Sequence, residues 1–203
     1  MSTVPRNPEA TRGRILAAAF QEFYHHGFQG GSLNRIAEDA GATKGALFHH
    51  FDGKNALGYA VVDEVLRSAI EEMWLKPMRG SADPIGAIKT IMNAKARQAA
   101  DDPSMLRHGC PVANLAQEMS PLDEGFQKRI ARIYEDWRAV IAEAFENGIK
   151  QRTVRKDVSP EGAAALLVAI FAGIPGTVKT AQSPELFRQI RGALFSYLDS
   201  LKP

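Results

Sequence analysis

Apolar residues recur every three or four positions along most of this 203-residue chain, and this spacing predicts helices. The clearest example follows Ser120-Pro121 and keeps its helical period to about residue 149. Its inward positions are Phe126, Ile130, Ile133, Trp137, Val140, Ile141, Ala144, Phe145 and Ile149. No convincing run has the two-residue alternation that indicates a strand. The pattern therefore predicts an all-α protein.

Start and stop signals divide the chain into about nine helices. Four of them begin with proline behind a capping residue, a position where the N–H that proline lacks would be unpaired anyway. These starts are Asp83-Pro84, Ser120-Pro121, Ser159-Pro160 and Ser183-Pro184. Three helices and a proline-containing arm form a predicted N-terminal domain over residues 1–53, and six helices form a second domain over residues 54–203. Asp102-Pro103 is predicted to be a turn, and the SMLRHGCP stretch of residues 104–111 a looser segment.

The stretch from Ser32 to Phe51, SLNRIAEDAGATKGALFHHF, predicts two short helices joined by a tight turn. Ser32 and Thr43 are suitable N-caps, and Gly41 can end the first helix in the left-handed conformation. Helix, short turn and helix is the arrangement that places a second helix in the DNA major groove. It also occurs in helical proteins that do not bind DNA, so the pattern alone leaves the function open.

The outward face of the second helix carries side chains that suit DNA. Its small residues allow close approach, and its lysine and histidines are donors that meet phosphates and base edges. This outward set is Lys44, Gly45, Phe48, His49 and His50, with Ala46 beside it. Lys54 follows at the start of the next helix, where a phosphate can bind. The net charge is only +2, and residues 1–54 hold six Lys/Arg against five Asp/Glu. Placed contacts must therefore carry DNA binding.

Residues 14–63 resemble the DNA-binding domain of the TetR/AcrR family of bacterial one-component regulators, continuously over about a quarter of the chain. The resemblance implies a transcriptional repressor that binds a palindromic operator. It implies phosphate contacts from Thr43, His50 and Lys54, and base contacts from Lys44, Gly45, Ala46 and His49. Ser32 caps the first helix of this set. Phe48 stands where the family usually has tyrosine, so a contact from a phenolic hydroxyl to phosphate is lost.

Residues 162–174, GAAALLVAIFAGI, are apolar on nearly every side, so their helix is either internal or covered by a second subunit. In the TetR/AcrR family, the last two helices pair with their copies across a two-fold axis. The resemblance therefore implies a homodimer, with packing inside one subunit as the alternative. The expected interface residues are Leu166, Ala169, Ile170, Phe187, Ile190, Leu194, Phe195 and Leu198.

Cys110 is the single cysteine, which excludes an intramolecular disulfide. It precedes a predicted helix start at Pro111, where the helix dipole and a positive neighbour such as His108 favour thiolate. The segment GCPVANLAQEMS resembles a TetR/AcrR branch that includes repressors of N-ethylmaleimide-reductase-type operons, some of which respond to electrophiles through a cysteine. We therefore predict that Cys110 is a redox or electrophile sensor, with Lys179 as the nearby amine. A small buried apolar cysteine is the alternative.

If sensing is not covalent, the second domain should contain a pocket for a reversible small-molecule effector. Methionine and aromatic side chains suit adaptable apolar sites, although each of them is as readily part of the core. The predicted lining residues are Met73, Trp74, Met92, Met105, Trp137 and Phe171. Pro175-Gly176 is expected to kink or end the helix that begins near residue 160.

The sequence also bears on two further classes of function. An enzyme with Cys110 as nucleophile and His108 as base is disfavoured, because residues two apart do not face each other on a helix and no acid partner is evident. The other class is a helical interaction module that does not bind DNA. The sequence predicts no metal site and no cofactor. The N-terminus has no signal-peptide core and the longest apolar run is short for a membrane span, so a cytoplasmic protein is expected.

Overall fold

A computed structural model describes residues 8–102 and 104–203, without the side chains of residues 104 and 105. Every regular element in these ranges is a helix, which confirms the all-α prediction. The first segments are α1 (Pro8–Gly30), α2 (Leu33–Asp39), α3 (Lys44–His50), α4 (residues 53–78) and α5 (Pro84–Asp101). The others are α6 (Ser104–His108), α7 (Pro111–Met119), α8 (Glu124–Lys150), α9 (Pro160–Ala181) and α10 (Pro184–Asp199). Only the short α6 lies in a segment that was expected to be loose.

Most helix starts have the caps that the sequence predicts. The side chains of Ser32, Thr43, Asp83, Ser159 and Ser183 each accept a hydrogen bond from the backbone N–H three residues further on. The start predicted at Ser120-Pro121 is wrong. Residues 120–122 continue as a turn after α7, and α8 begins only at Glu124. Asp123 provides the cap there, since its Oδ1 accepts from the N–H of Phe126 at 2.9 Å.

Helix α4 is continuous but contains two wide turns, Val61–Leu66 and Glu71–Leu75. In these turns the backbone N–H of Arg67 donates to the carbonyl of Val62, and the N–H of Lys76 donates to the carbonyl of Glu71. Each bond spans five residues instead of four, which defines a π-helical turn. No proline or glycine marks either turn in the sequence.

The chain divides into two compact units. The first consists of Met1–Ser68 and Asn114–Ile130, and the second of Ala69–Ala113 and Ala131–Pro203. The first unit thus adds residues 54–68 and 114–130 to the predicted N-terminal domain. Its core includes Ile15, Ala19, Ile36, Leu47, Leu57 and Phe126. The core of the second unit includes Trp74, Met78, Ile88, Trp137, Ile141, Phe145, Leu167, Phe171 and Leu198.

Helix α9 is buried on one side and partly open on the other. Ala163, Ala164, Leu167, Val168, Phe171, Ile174 and Val178 are buried, whereas Leu166 is 46% exposed. The helix continues past Pro175 to Ala181, so the expected proline break does not end it. By length and composition alone α9 could cross a membrane, and 39% of its apolar window is buried inside the chain.

Candidate nucleic-acid interface and effector region

The turn between α2 and α3 is fixed by local hydrogen bonds. The N–H of Ala42 donates to the carbonyl of Ala37 at 2.9 Å, and Gly41 has φ 58°, in the left-handed region that glycine adopts readily. Oγ1 of Thr43 accepts from the N–H of Ala46 at 3.1 Å, while Oγ of Ser32 accepts from the N–H of Arg35 at 3.4 Å. The predicted helix-turn-helix is therefore present, and both predicted caps act as caps.

Helix α3 is anchored on one face and open on the other. Leu47 is fully buried, and Phe51 directly after the helix is 5% exposed. On the opposite face Lys44, Gly45, Phe48 and His49 are exposed, with Phe48 at 47%. Ala46 and His50 are half-buried. A Cβ added at Gly45 would meet no atom closer than 3.9 Å, so this end of the helix presents a flat surface.

A buried carboxylate fixes the start of α2. Glu22 is 4% exposed, and its Oε1 accepts from the N–H of Ser32 at 2.8 Å. Its Oε2 accepts from the Arg35 guanidinium at 3.3 Å and lies 3.7 Å from Nε2 of His26. The sequence analysis missed Glu22, because its partners lie 4 to 13 residues away in the sequence. The one sequence feature that could have indicated its role is the position of an acidic residue on the inward-facing stripe of α1.

Lys54 has a structural contact in addition to any that it makes with DNA. Its Nζ donates to the carbonyl of Gln29 at 3.0 Å and lies 5.1 Å from the centroid of the Phe28 ring. The ammonium has three donors, so two remain for a phosphate. The lysine therefore connects the end of α1 with the start of α4.

The end of α1 also depends on a residue from α7. Gly27 interrupts the helix with φ 75° and ψ 166°, which leaves the next backbone N–H groups without helical acceptors. The Glu118 carboxylate takes both of them: Oε2 accepts from Phe28 at 2.9 Å and Oε1 accepts from Gln29 at 2.8 Å. Sequence analysis missed Glu118, because its partners are about 90 residues away.

Most of the predicted effector-pocket residues form a packed core. The Trp74 ring centroid is 4.9 Å from that of Trp137 and 4.3 Å from that of Phe171, and all three residues are buried. Met92 is also buried, at 2% exposure. Met73 lines a cavity, which has a volume of about 420 Å³. The side chain of Met105 lies outside the described residues.

Cys110 is half-buried between α6 and α7, and it contributes to the pKa shifts of two ionisable side chains. Burial, aided by Cys110, raises the pKa of Tyr134 to about 12. Burial lowers the pKa of Lys95, an effect that Cys110 partly opposes. Lys95, which the sequence analysis missed, is thus an amine that interacts electrostatically with Cys110. Lys179 is exposed near the end of α9. His108 is half-buried. Within the described ranges, no three His, Cys, Asp or Glu residues are grouped to hold a metal ion.

The eight predicted interface residues separate into three groups. Phe187, Leu194 and Leu198 are buried within the chain itself, so they belong to its own core. Leu166 and Ala169 are exposed, and the rest, Ile170, Ile190 and Phe195, are half-buried. The exposed group lies on the open side of α9, where Gly162, Ala165 and Gly173 are exposed as well.

Comparison with known proteins gives the same picture for both parts of the chain. The family described as "Bacterial regulatory proteins, tetR family" matches residues 15–61, and "Tetracyclin repressor-like, C-terminal domain" matches residues 84–194. The chain is similar to the HTH-type transcriptional repressor DhaR of Mycobacterium sp. (strain GP1), with 24% identity over 194 residues that cover 92% of this chain and 91% of DhaR.

Solved structures share the fold at low sequence identity. A TetR transcriptional regulator from Chloroflexus aurantiacus superposes with a TM-score of 0.82 at 23% identity, covering 95% of this chain and 96% of that one. The reduced form of Escherichia coli NemR superposes with a TM-score of 0.75 at 23% identity, covering 94% and 96%. Likeness at this identity shows the fold alone.

Proposed function

Since the chain belongs to the TetR family of bacterial regulatory proteins and is a transcriptional regulator, we propose that it represses transcription from a palindromic operator. In this proposal it binds the operator as a homodimer and leaves it when a small effector binds. The observation that carries the proposal is the open face of α3, which Leu47 and Phe51 hold rigidly from behind. A helix fixed in this way can enter a major groove without first becoming ordered.

The proposal assigns two kinds of contact to the helix-turn-helix. Thr43, the cap of α3, and His50, its last residue, meet phosphates, and Lys54 does so with the donors that Gln29 leaves free. Lys44, Gly45, Ala46 and His49 meet base edges. Phe48 offers its exposed ring to a thymine methyl group in place of a hydroxyl contact. Phosphate contacts set the affinity for all sequences, and base contacts set the preference among them.

Fluorescence anisotropy with the DNA upstream of the chain's own gene tests the proposal. We expect a palindrome to bind far more tightly than scrambled DNA at physiological salt. Lys44→Ala should weaken specific binding by about 1–3 kcal/mol and relax base preference. Lys128→Ala is the matched control, because this exposed lysine is paired with Glu124 and is not among the residues assigned to DNA contact. Equal affinity for palindromic and scrambled DNA would contradict the proposal.

The open side of α9 supports the homodimer. Exposed Leu166 lies among small exposed residues, Ala165, Ala169 and Gly173, which allow a second helix to approach closely. An isologous dimer through this face would present two copies of α3 to successive half-sites. In this proposal a second copy of the chain, and not lipid, covers the open side of α9. We therefore assign the protein to the cytoplasm.

Release from the operator has two candidate routes. In the first, a small ligand binds reversibly and Cys110 is structural. In the second, an electrophile or oxidant modifies Cys110, which is half-buried and interacts electrostatically with Lys95. Cys110→Ser separates them: under the covalent route, N-ethylmaleimide or hypochlorite should release wild-type protein from DNA and leave the variant bound. Equal release of both proteins would leave only the reversible route. Neither route involves catalysis.

A further inference from the structure

The second compact unit contains a cavity of about 420 Å³ beside α5 and the end of α4. Five of the eight residues that line it are apolar: Met73, Pro77, Ala87, Ile91 and Ala94. The others are Thr90, Gln98 and Lys95. The Thr90 hydroxyl already donates to the carbonyl of Gly86 at 2.9 Å. The cavity is therefore an apolar pocket with one charged group in its wall.

Lys95 has no carboxylate partner among the described residues, unlike neighbouring lysines. Lys89 on the same helix pairs with Asp199 at 2.6 Å, and Lys76 pairs with Glu72 at 3.1 Å. The Nζ of Lys95 instead lies 5.6 Å from the centroid of the Trp74 ring. Burial lowers its pKa, which means that the charged form is poorly solvated. Lys95 is half-buried and Cys110 acts on its charge, but the ammonium lacks a carboxylate and therefore suits an organic anion that enters the cavity.

A second donor in the same aromatic cluster also has no partner. Nε1 of Trp137 is buried and has no hydrogen-bond acceptor in the part of the chain that the structure describes. Its ring packs on Trp74, the ring that Lys95 also contacts. An unpaired buried N–H is rare in a native structure and calls for an explanation. Trp137 does not line the cavity, so the polar end of a ligand there is selected by Lys95, whose ammonium is a donor and suits acceptor oxygens.

We infer that this pocket binds an amphipathic organic anion whose carboxylate pairs with Lys95 and whose hydrocarbon body contacts Met73, Ile91 and Ala94. The inference rests on the proposed function, since such an anion would be the effector. A carboxylate gives the ammonium a charge-assisted hydrogen bond that an alcohol cannot match, and an organic cation would be repelled.

Three probes with the same eight-carbon chain test the inference: octanoate, octan-1-ol and octylamine. Trp74 and Trp137 are the two tryptophans of the chain, and both belong to the cluster that Lys95 contacts, so intrinsic fluorescence reports binding directly. We expect octanoate to bind about tenfold or more tightly than octan-1-ol, in keeping with one hydrogen bond to a charged group. Octylamine should bind most weakly. Octan-1-ol binding as tightly as octanoate would overturn the inference.

Variants of the lysine identify the group responsible. Lys95→Met keeps the length of the side chain but not its charge, and it should abolish the preference for octanoate over octan-1-ol. Lys95→Arg should preserve the preference. Lys76→Met is the control, since that lysine is exposed and already paired. Wild-type affinity of Lys95→Met for octanoate would overturn the inference.

A measurement without ligand separates binding from a structural role. Because burial of the charge opposes folding, Lys95→Met should melt a few degrees higher than wild type at pH 7 in the absence of ligand. A lower melting temperature would make Lys95 a structural residue and overturn the inference. Cys110 also acts on Lys95, and a thiol can ionise in the alkaline range, so the pH test uses the Cys110→Ser background. In that background octanoate affinity should fall as the pH rises from 7 to about 10, whereas with Lys95→Arg added it should not.

Operator binding keeps the two proposals distinct. If wild-type protein binds its operator but shows no preference for octanoate, the repressor proposal stands and this inference fails. If octanoate binds through Lys95 but no operator is bound, the pocket assignment stands and the repressor proposal fails.

Discussion

Glu118 completes the end of α1 with hydrogen bonds that no local residue supplies. Its carboxylate accepts from two successive backbone N–H groups, Phe28 and Gln29, which the break at Gly27 exposes. In Glu118→Gln, one of those N–H groups would face an amide NH₂ and lose its acceptor. We expect the free energy of unfolding in urea to fall by about 1–3 kcal/mol, the range for a lost bond to a charged group.

A neighbouring glutamate provides the control for this prediction. Glu124 is exposed and pairs only with Lys128 along the surface of α8. Glu124→Gln removes the same charge, so its effect should stay within about 0.5 kcal/mol. If both variants unfolded at the same urea concentration, Glu118 would have no role in holding α1.

Residue roles that depend on local chemistry could be predicted from the sequence, and the others could not. Ser32 and Thr43 cap their helices through the third N–H along the chain, a relation that the sequence shows directly. Glu118 and Lys95 act on groups that only the tertiary structure brings near them. An isolated acidic or basic residue in an amphipathic helix has no sequence feature that distinguishes such a role from simple solvation.

At the scale of one element, the start of α8 has a pH dependence that can be measured. The N–H of Phe126 and the hydroxyl of Tyr59 both donate to Oδ1 of Asp123, and together they lower the pKa of this carboxyl. A lowered pKa means that the carboxylate contributes stability above its ordinary pKa and that this contribution is lost as the pH falls through the lowered value. Wild-type stability should therefore fall more steeply than that of Asp123→Asn between about pH 5 and pH 2.

Two variants control this measurement. Asp52 precedes α4 as Asp123 precedes α8, but it makes no side-chain hydrogen bond as a cap. Asp52→Asn should therefore keep the wild-type dependence on pH. Tyr59→Phe removes one donor to Asp123 and should give an intermediate slope. A slope for Asp123→Asn equal to that of wild type would contradict the assigned role.

Helix positions follow from periodicity, but two features of the elements do not. The wide turns of α4 arise from a shift of one residue in backbone hydrogen bonding, and no residue type in Val61–Leu66 or Glu71–Leu75 marks it. The contact of Trp74 with Trp137 and Phe171 joins three helices. The residue types predict an apolar cluster, but they do not reveal whether the cluster is closely packed or encloses a cavity. In the structure the three rings pack against one another, and the cavity lies beside this cluster, against α5.

At the scale of the whole molecule, the proposed dimer depends on one face of α9. Leu166 is exposed there, and Leu122, in the turn before α8, is the matched exposed leucine outside the proposed interface, at 62%. A glutamate at either position would be tolerated by the single chain, because neither side chain is part of its core. Light scattering should nevertheless show a monomer for Leu166→Glu and a dimer for Leu122→Glu. Only Leu166→Glu buries two like charges that face each other across the two-fold axis.

Loss of the dimer should also weaken operator binding in a defined way. Two linked α3 helices bind with an effective concentration that one alone lacks, so Leu166→Glu should lose about 100-fold or more in affinity for the full palindrome. Its affinity for an isolated half-site should equal that of wild type, because α3 and its supporting residues are unchanged. Weaker binding to both DNAs would mean that the substitution disturbs the first unit as well. Undiminished binding to the palindrome would mean that the dimer forms through another surface.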